Sequence, residues 1–113
     1  MKISRGDIWL VNFNPVKKSN EVGKVRPALI IQNDELNHGG YPTTMVLPLT
    51  TDLINDAEPL RYRVLKQERL DRDSDILVAH IRSIDNTRLI EKLATLSQEQ
   101  MQEVKGLFDE LVN

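Results

Sequence analysis

An arginine set directly before a proline mounts a permanent positive charge on a stiff backbone, and Arg26-Pro27 does so at the mouth of the apolar run Ala28-Leu29-Ile30-Ile31. Proline fixes its own φ and pushes the residue before it into extended geometry, so the Arg26 backbone is held while its guanidinium still needs water or an anion. A planar fork of N–H donors suits a phosphate clamp. A surface ion pair with Glu21 or Asp34 uses the same charge, and the residues alone leave both readings open. Thr50 and Thr51 add two hydroxyls at the end of a strand-like segment, where each is equally suited to capping its own turn. His80 and Arg82 stand two apart in an apolar run expected to be a strand, which puts them on one face. That pair reads either as the lining of a groove, with a histidine able to serve as general acid or base, or as a hydrogen-bonded histidine at a rim.

Metal chemistry is not expected. The dense acidic run Asp71-Arg72-Asp73-Ser74-Asp75 begins like a calcium loop, but Ile76 stands where the turn glycine belongs and Arg82 where the bidentate glutamate belongs. Cysteine is absent, which removes thiolate metal sites, disulfides and a cysteine nucleophile.

The elements that must position these side chains are short. Ile8–Phe13 reads as a strand ended by Asn14-Pro15, residues 16–24 as a lysine-bearing loop, and Arg26–Ile31 as a second strand. Thr44–Leu49 and Arg61–Leu65 are the next two strands, and Asp75–Ile84, the longest apolar run, is expected as one central strand. A helical turn over Thr87–Ile90 and a last strand over Glu91–Leu96 follow. Ser97 and Gln100 form a capping box, and Met101, Val104, Leu107, Phe108 and Leu111 recur at helical spacing, predicting a helix from Gln98 to Leu111. Antiparallel strands followed by one amphipathic helix describe a small α+β barrel with the helix over one opening or face.

The 113 residues suit one domain, with 40% hydrophobic and 28% charged residues around a single core. No segment reads as a signal peptide or a membrane span, and the expected address is the cytoplasm. A net charge of −2 argues against a broad electrostatic hold on nucleic acid, so any such contact must be local. The cluster Lys17, Lys18, Lys24 and Arg26 is the place for it.

The residues then reach a resemblance. Arg5-Gly6-Asp7-Ile8-Trp9-Leu10-Val11-Asn12-Phe13-Asn14-Pro15, Glu21 and Gly23-Lys24-Val25-Arg26-Pro27-Ala28-Leu29-Ile30-Ile31 resemble the MazF/PemK toxin family. The likeness continues through Val46-Leu47-Pro48-Leu49-Thr50-Thr51 and Asp73–Asp85, and covers nearly the whole chain. It implies an SH3-like antiparallel barrel of the CcdB/MazF type with a C-terminal helix. It also implies a metal-independent, cofactor-free, homodimeric endoribonuclease that cuts single-stranded RNA at short sequences and is neutralised by a cognate antitoxin. RNA carries its own nucleophile in the 2′-hydroxyl, so positioning, charge stabilisation and proton transfer suffice.

The resemblance implies that Arg26 binds the scissile phosphate and gives a proton to the leaving 5′-oxygen, with Thr50 hydrogen-bonding a phosphate oxygen. The products implied are a 2′,3′-cyclic phosphate and a 5′-hydroxyl. Lys17, Lys18, Glu21, Lys24, Thr51, His80 and Arg82 are the expected RNA-binding side chains. Two departures stand out: Ala79-His80 replaces the glutamine or similar residue common there, and Lys17-Lys18-Ser19-Asn20-Glu21 replaces a shorter, glycine-bearing loop. The rival class is a non-enzymatic module, either a gyrase poison on the same barrel or an inactive relative that only binds RNA or antitoxin.

Overall fold

The computed structural model describes residues 2–14 and 25–113, so the expected loop over 16–24, with Lys17, Lys18, Glu21 and Lys24, lies outside the described residues. The chain enters through a turn at Arg5-Gly6, where Asp7 N–H donates to Ser4 O at 3.0 Å and Gly6 takes φ +97°, a conformation open to glycine without a Cβ clash. The elements are β1 (Asp7–Asn12), β2 (Val25–Ile30), α1 (Asp34–His38), β3 (Thr43–Thr50), β4 (Arg61–Val64), β5 (Ser74–Leu77), β6 (Arg82–Asp85), a 3-10 turn (Asn86–Arg88), β7 (Leu89–Thr95) and α2 (Gln98–Val112).

The strands pair antiparallel in the order β4-β5-β3-β2-β1-β7, and β6 also pairs with β3. The long β3 is the hub. Its end, Leu49 and Thr50, faces Ile76 and Asp75 of β5, while its beginning, Thr43 to Val46, faces Asp85 to Arg82 of β6. β4 and β7 form no ladder with each other, so the barrel is not closed by strands; Arg69 N–H reaches Leu93 O at 2.8 Å and ties the segment after β4 to β7.

Alternation along the strands divides the apolar side chains between two buried clusters. Ile8, Leu29, Leu47 and Ile76 pack with Met101, Val104 and Leu107 of α2, while Trp9, Ala28, Ile30 and Val46 pack with Phe13, Ile84 and Leu89. Helix α2 starts at the expected capping box: the Ser97 hydroxyl accepts from Gln100 N–H at 3.0 Å, and Gln100 Oε1 accepts from Ser97 N–H at 2.9 Å.

Three expectations are corrected. The run Asp75–Ile84 is two strands, because the two halves of β3 take different partners and the chain must cross between them through a turn over 78–81. Val78 stays buried in that crossing and donates its N–H to Leu60 O. The helical turn is Asn86–Arg88, capped by Asp85, and the last strand starts earlier than expected, at Leu89. Helix α1 is an addition: Asn33 Oδ1 accepts from Leu36 N–H, and Asp34 and Glu35 fill the first turn.

Candidate functional site

The site begins where β2 and β3 part. Their registered pairing starts at Ala28 opposite Pro48, and the preceding residue, Pro27, has no N–H to give to a ladder. Arg26 stands just upstream of that point, opposite Val11 of β1, with its side chain exposed. The extended backbone expected of a residue before proline is realised as strand.

Arg26 lines two cavities. One, of about 310 Å³, is formed with Val25, Leu49, Thr50, Thr51, Asp52 and Ser74. The other, of about 550 Å³, is formed with Phe13, Pro48, Leu77, His80, Ile81 and Arg82. Arg26, Thr50 and Thr51 are thus brought to one cleft, and Arg26, His80 and Arg82 to its neighbour. His80 and Arg82 meet by a different route from the one expected. His80 lies in the turn after β5, with its N–H on Leu77 O at 3.1 Å, and Arg82 opens β6, so they line one cavity without sharing a strand face.

The alternatives left open by the residues are narrowed by their partners. Asp34 is committed elsewhere: it accepts from Arg5 N–H at 2.7 Å and from Asn37 Nδ2 at 3.0 Å. The Arg5 N–H is the chief cause holding its carboxyl below the usual range. Among the described residues no carboxylate pairs with Arg26, and the ring of His80 makes no hydrogen bond. The Thr50 hydroxyl does cap its own turn, accepting from Asp52 N–H at 3.1 Å. That bond occupies a lone pair and leaves the hydroxyl proton to donate.

Sequence reasoning passed over two features. The Arg82 guanidinium lies over the Phe13 ring, 4.8 Å from its centroid, so a charge in the groove is held on a buried aromatic face. The second feature is Asp75, buried on β5 and bonded to Arg63 Nε at 2.5 Å and Arg61 Nη1 at 3.1 Å. Burial works against its charge, but hydrogen bonds from Arg63, Ile54 N–H and Arg61 outweigh it and hold the carboxyl below the usual range. Its neighbour Asp73 accepts from Lys66 N–H at 2.8 Å, and among the described residues no three acidic or histidine side chains are gathered as a metal-ligand set. A cavity of about 660 Å³ lies beside Asp75, Arg61 and Arg63 and, among the described residues, shares no lining residue with the two around Arg26. No helix among the described residues is long and apolar enough to cross a membrane.

The chain is similar in sequence and in fold to known proteins. Endoribonuclease MazF of Staphylococcus epidermidis is 44% identical over 109 residues, covering 95% of this chain and 88% of that protein. MazF of Deinococcus radiodurans superposes with a TM-score of 0.76 at 25% identity, over 99% of this chain and 97% of that one. The MazE–MazF structure from the same organism gives 0.78 at 24% identity, over 99% and 96%. A family model described as the PemK-like, MazF-like toxin of type II toxin–antitoxin systems matches residues 4–112. With that match running almost end to end, and a relative so similar across nearly the whole chain, this protein belongs to the PemK-like, MazF-like toxin family of type II toxin–antitoxin systems.

Proposed function

We propose that this chain is an endoribonuclease toxin that cuts single-stranded RNA at Arg26 without a metal ion. The carrying observation is an exposed arginine, free of carboxylate partners among the described residues, at the junction of two cavities. One cavity offers hydroxyl donors and the other a histidine and a stacked guanidinium.

In this reading the scissile phosphate sits on the Arg26 fork, which stabilises the extra negative charge that builds at phosphorus. The RNA 2′-oxygen attacks the adjacent phosphorus as its proton passes to solvent, the bond to the 5′-oxygen breaks, and that oxygen takes a proton from the Arg26 guanidinium, which solvent reprotonates. No water is consumed, and the products are a 2′,3′-cyclic phosphate and a 5′-hydroxyl. A departing alkoxide is a stronger base than a neutral guanidine, so Arg26 is able to supply that proton although it is a poor base itself. Thr50, its oxygen already engaged by Asp52 N–H, donates to a non-bridging phosphate oxygen. His80 and Arg82 meet the neighbouring nucleotide, where base edges and stacking surfaces are read. Lys17, Lys18, Glu21, Lys24 and Thr51 complete the RNA contacts.

The active form is a homodimer in the cytoplasm. A cognate antitoxin lays an acidic or apolar segment across the same groove in competition with RNA. The test is incubation of the purified chain and its Arg26→Ala variant with a mixed RNA in chelator, followed by mapping of the ends. Cutting by the parent alone, leaving cyclic phosphate ends, is expected. Intact RNA with the parent contradicts the enzyme reading, and equal cutting by both contradicts the role of Arg26.

A further inference from the structure

We propose that Asp75, acting through Arg61 and the Asp52 turn, is a positioning residue that aims the Thr50 hydroxyl into the candidate site. The inference rests on the reading of Thr50 as a phosphate contact, and concerns what fixes its direction.

Asp75 is 1% exposed and sits directly opposite Thr50 in the β3–β5 register. Ile76, next to it on β5, and Val78, in the turn that follows, are buried and apolar, so an ionised group there needs a reason. Stability alone is a weak one, because a buried ion pair seldom outperforms apolar packing of the same volume. The bonds show where its influence goes. Oδ1 accepts from Arg63 Nε, and Oδ2 accepts both from Arg61 Nη1 and from Ile54 N–H at 3.0 Å. Arg61 Nη1 also donates to Asp52 O at 2.8 Å, and Arg63 Nη2 donates to Asn55 Oδ1 at 3.0 Å.

One carboxylate and its two arginines therefore hold Asp52, Ile54 and Asn55, the stretch that leaves Thr50. Asp52 closes the path, since its N–H is the donor that engages Thr50 Oγ1. With Asp52 held at its carbonyl by Arg61 and at its N–H by Thr50, the hydroxyl has one lone pair fixed and its proton directed away from the turn. Arg61 and Arg63 reach Asp75 together because they are two apart on β4 and so share a face, with Arg63 directly opposite Asp75. The ion pair is a bracket for the threonine turn, joined through Asp52 to the cavity that Thr50 and Arg26 share.

The test is a double-mutant cycle on single-turnover RNA cleavage, with the parent, Arg61→Met, Thr50→Ala and the double variant on one mixed-sequence RNA in chelator. Arg61→Met is expected to slow cleavage about tenfold with half-saturating RNA shifted less than about twofold, and to add less than about twofold in the Thr50→Ala background. Asp75→Asn, which keeps the shape and removes the charge, is expected to follow the same pattern. Thermal unfolding of each variant identifies any that is unfolded at the assay temperature. Arg61, partly exposed at the rim, carries the test if Asp75→Asn does not fold. Unchanged cleavage by Arg61→Met, or the same tenfold loss with and without Thr50, overturns the proposal while leaving the catalytic reading intact. Cleavage by Thr50→Ala at the parental rate instead overturns the reading of Thr50, and this proposal with it.

Discussion

Among the described residues no carboxylate claims Arg26: the β2–β3 register starts beyond Pro27, Asp34 is bonded to Arg5 and Asn37, and the two cavities meet at its side chain. A bidentate clamp needs the guanidinium plane and not only its charge, so Arg26→Lys is expected to lose roughly a hundredfold or more in cleavage rate. Single-turnover assays check this, and near-parental rates would show that charge alone suffices. Arg82 is held differently, on the Phe13 face, in a contact of a type worth about 0.5–1 kcal/mol when exposed. Phe13→Leu is therefore expected to weaken RNA affinity by roughly two- to fivefold with cleavage of bound RNA little changed, while Arg82→Ala weakens it more. Filter binding at fixed salt separates the two. Arg26 was legible in the sequence because the effect of proline on its neighbour is local. Phe13 was not, because its partner arrives from β6 through the tertiary fold.

The long strand β3 decides most of what happens at the level of elements. Its split partnership turns Asp75–Ile84 into two strands, and the crossing turn contains no glycine, proline or asparagine to announce it. Periodicity legibly gave β1 to β4 and helix α2 but had no means of seeing that break. It placed His80 and Arg82 beside each other for a reason the fold replaced with another. The cap on α2 was readable because its bonds are three residues apart. Ser97→Ala is expected to cost about 1 kcal/mol of stability, measured by urea unfolding.

The Asp75 bracket joins β3, β4 and β5, and it carries a pH signature. Its carboxyl is lowered in the folded protein because hydrogen bonds from Arg63, Ile54 N–H and Arg61 outweigh burial. A group so lowered contributes stability above its unfolded pKa of about 4, and that contribution is lost as pH falls through the lower folded value. Unfolding midpoints are expected to drop as pH is taken below about 4, with a smaller drop in Asp75→Asn. Equal slopes in the two proteins would contradict the assignment.

Across the whole molecule, a net charge of −2 argues for a local RNA contact and against a broad electrostatic hold. The described part of the site carries Arg26, Arg82 and His80 on one pair of cavities, while Glu99, Glu103, Asp109 and Glu110 load helix α2 at the other end of the chain. RNA affinity is accordingly expected to fall with salt along a shallow slope, equivalent to a few phosphate contacts. A salt titration of binding checks this, and a slope of ten contacts would contradict a local site. The barrel, with no ladder between β4 and β7, lines the cleft with residues of β2, β3, β5 and β6.

The central claim is that the RNA's own 2′-hydroxyl does the cutting while Arg26 holds the phosphate. It is tested most directly by replacing the single nucleotide 5′ of a mapped cleavage site with its 2′-deoxy form and measuring both cutting and binding in chelator. The account predicts that cleavage at that bond disappears while affinity stays within about threefold of the all-ribose strand. Continued cutting at the deoxy position would contradict it.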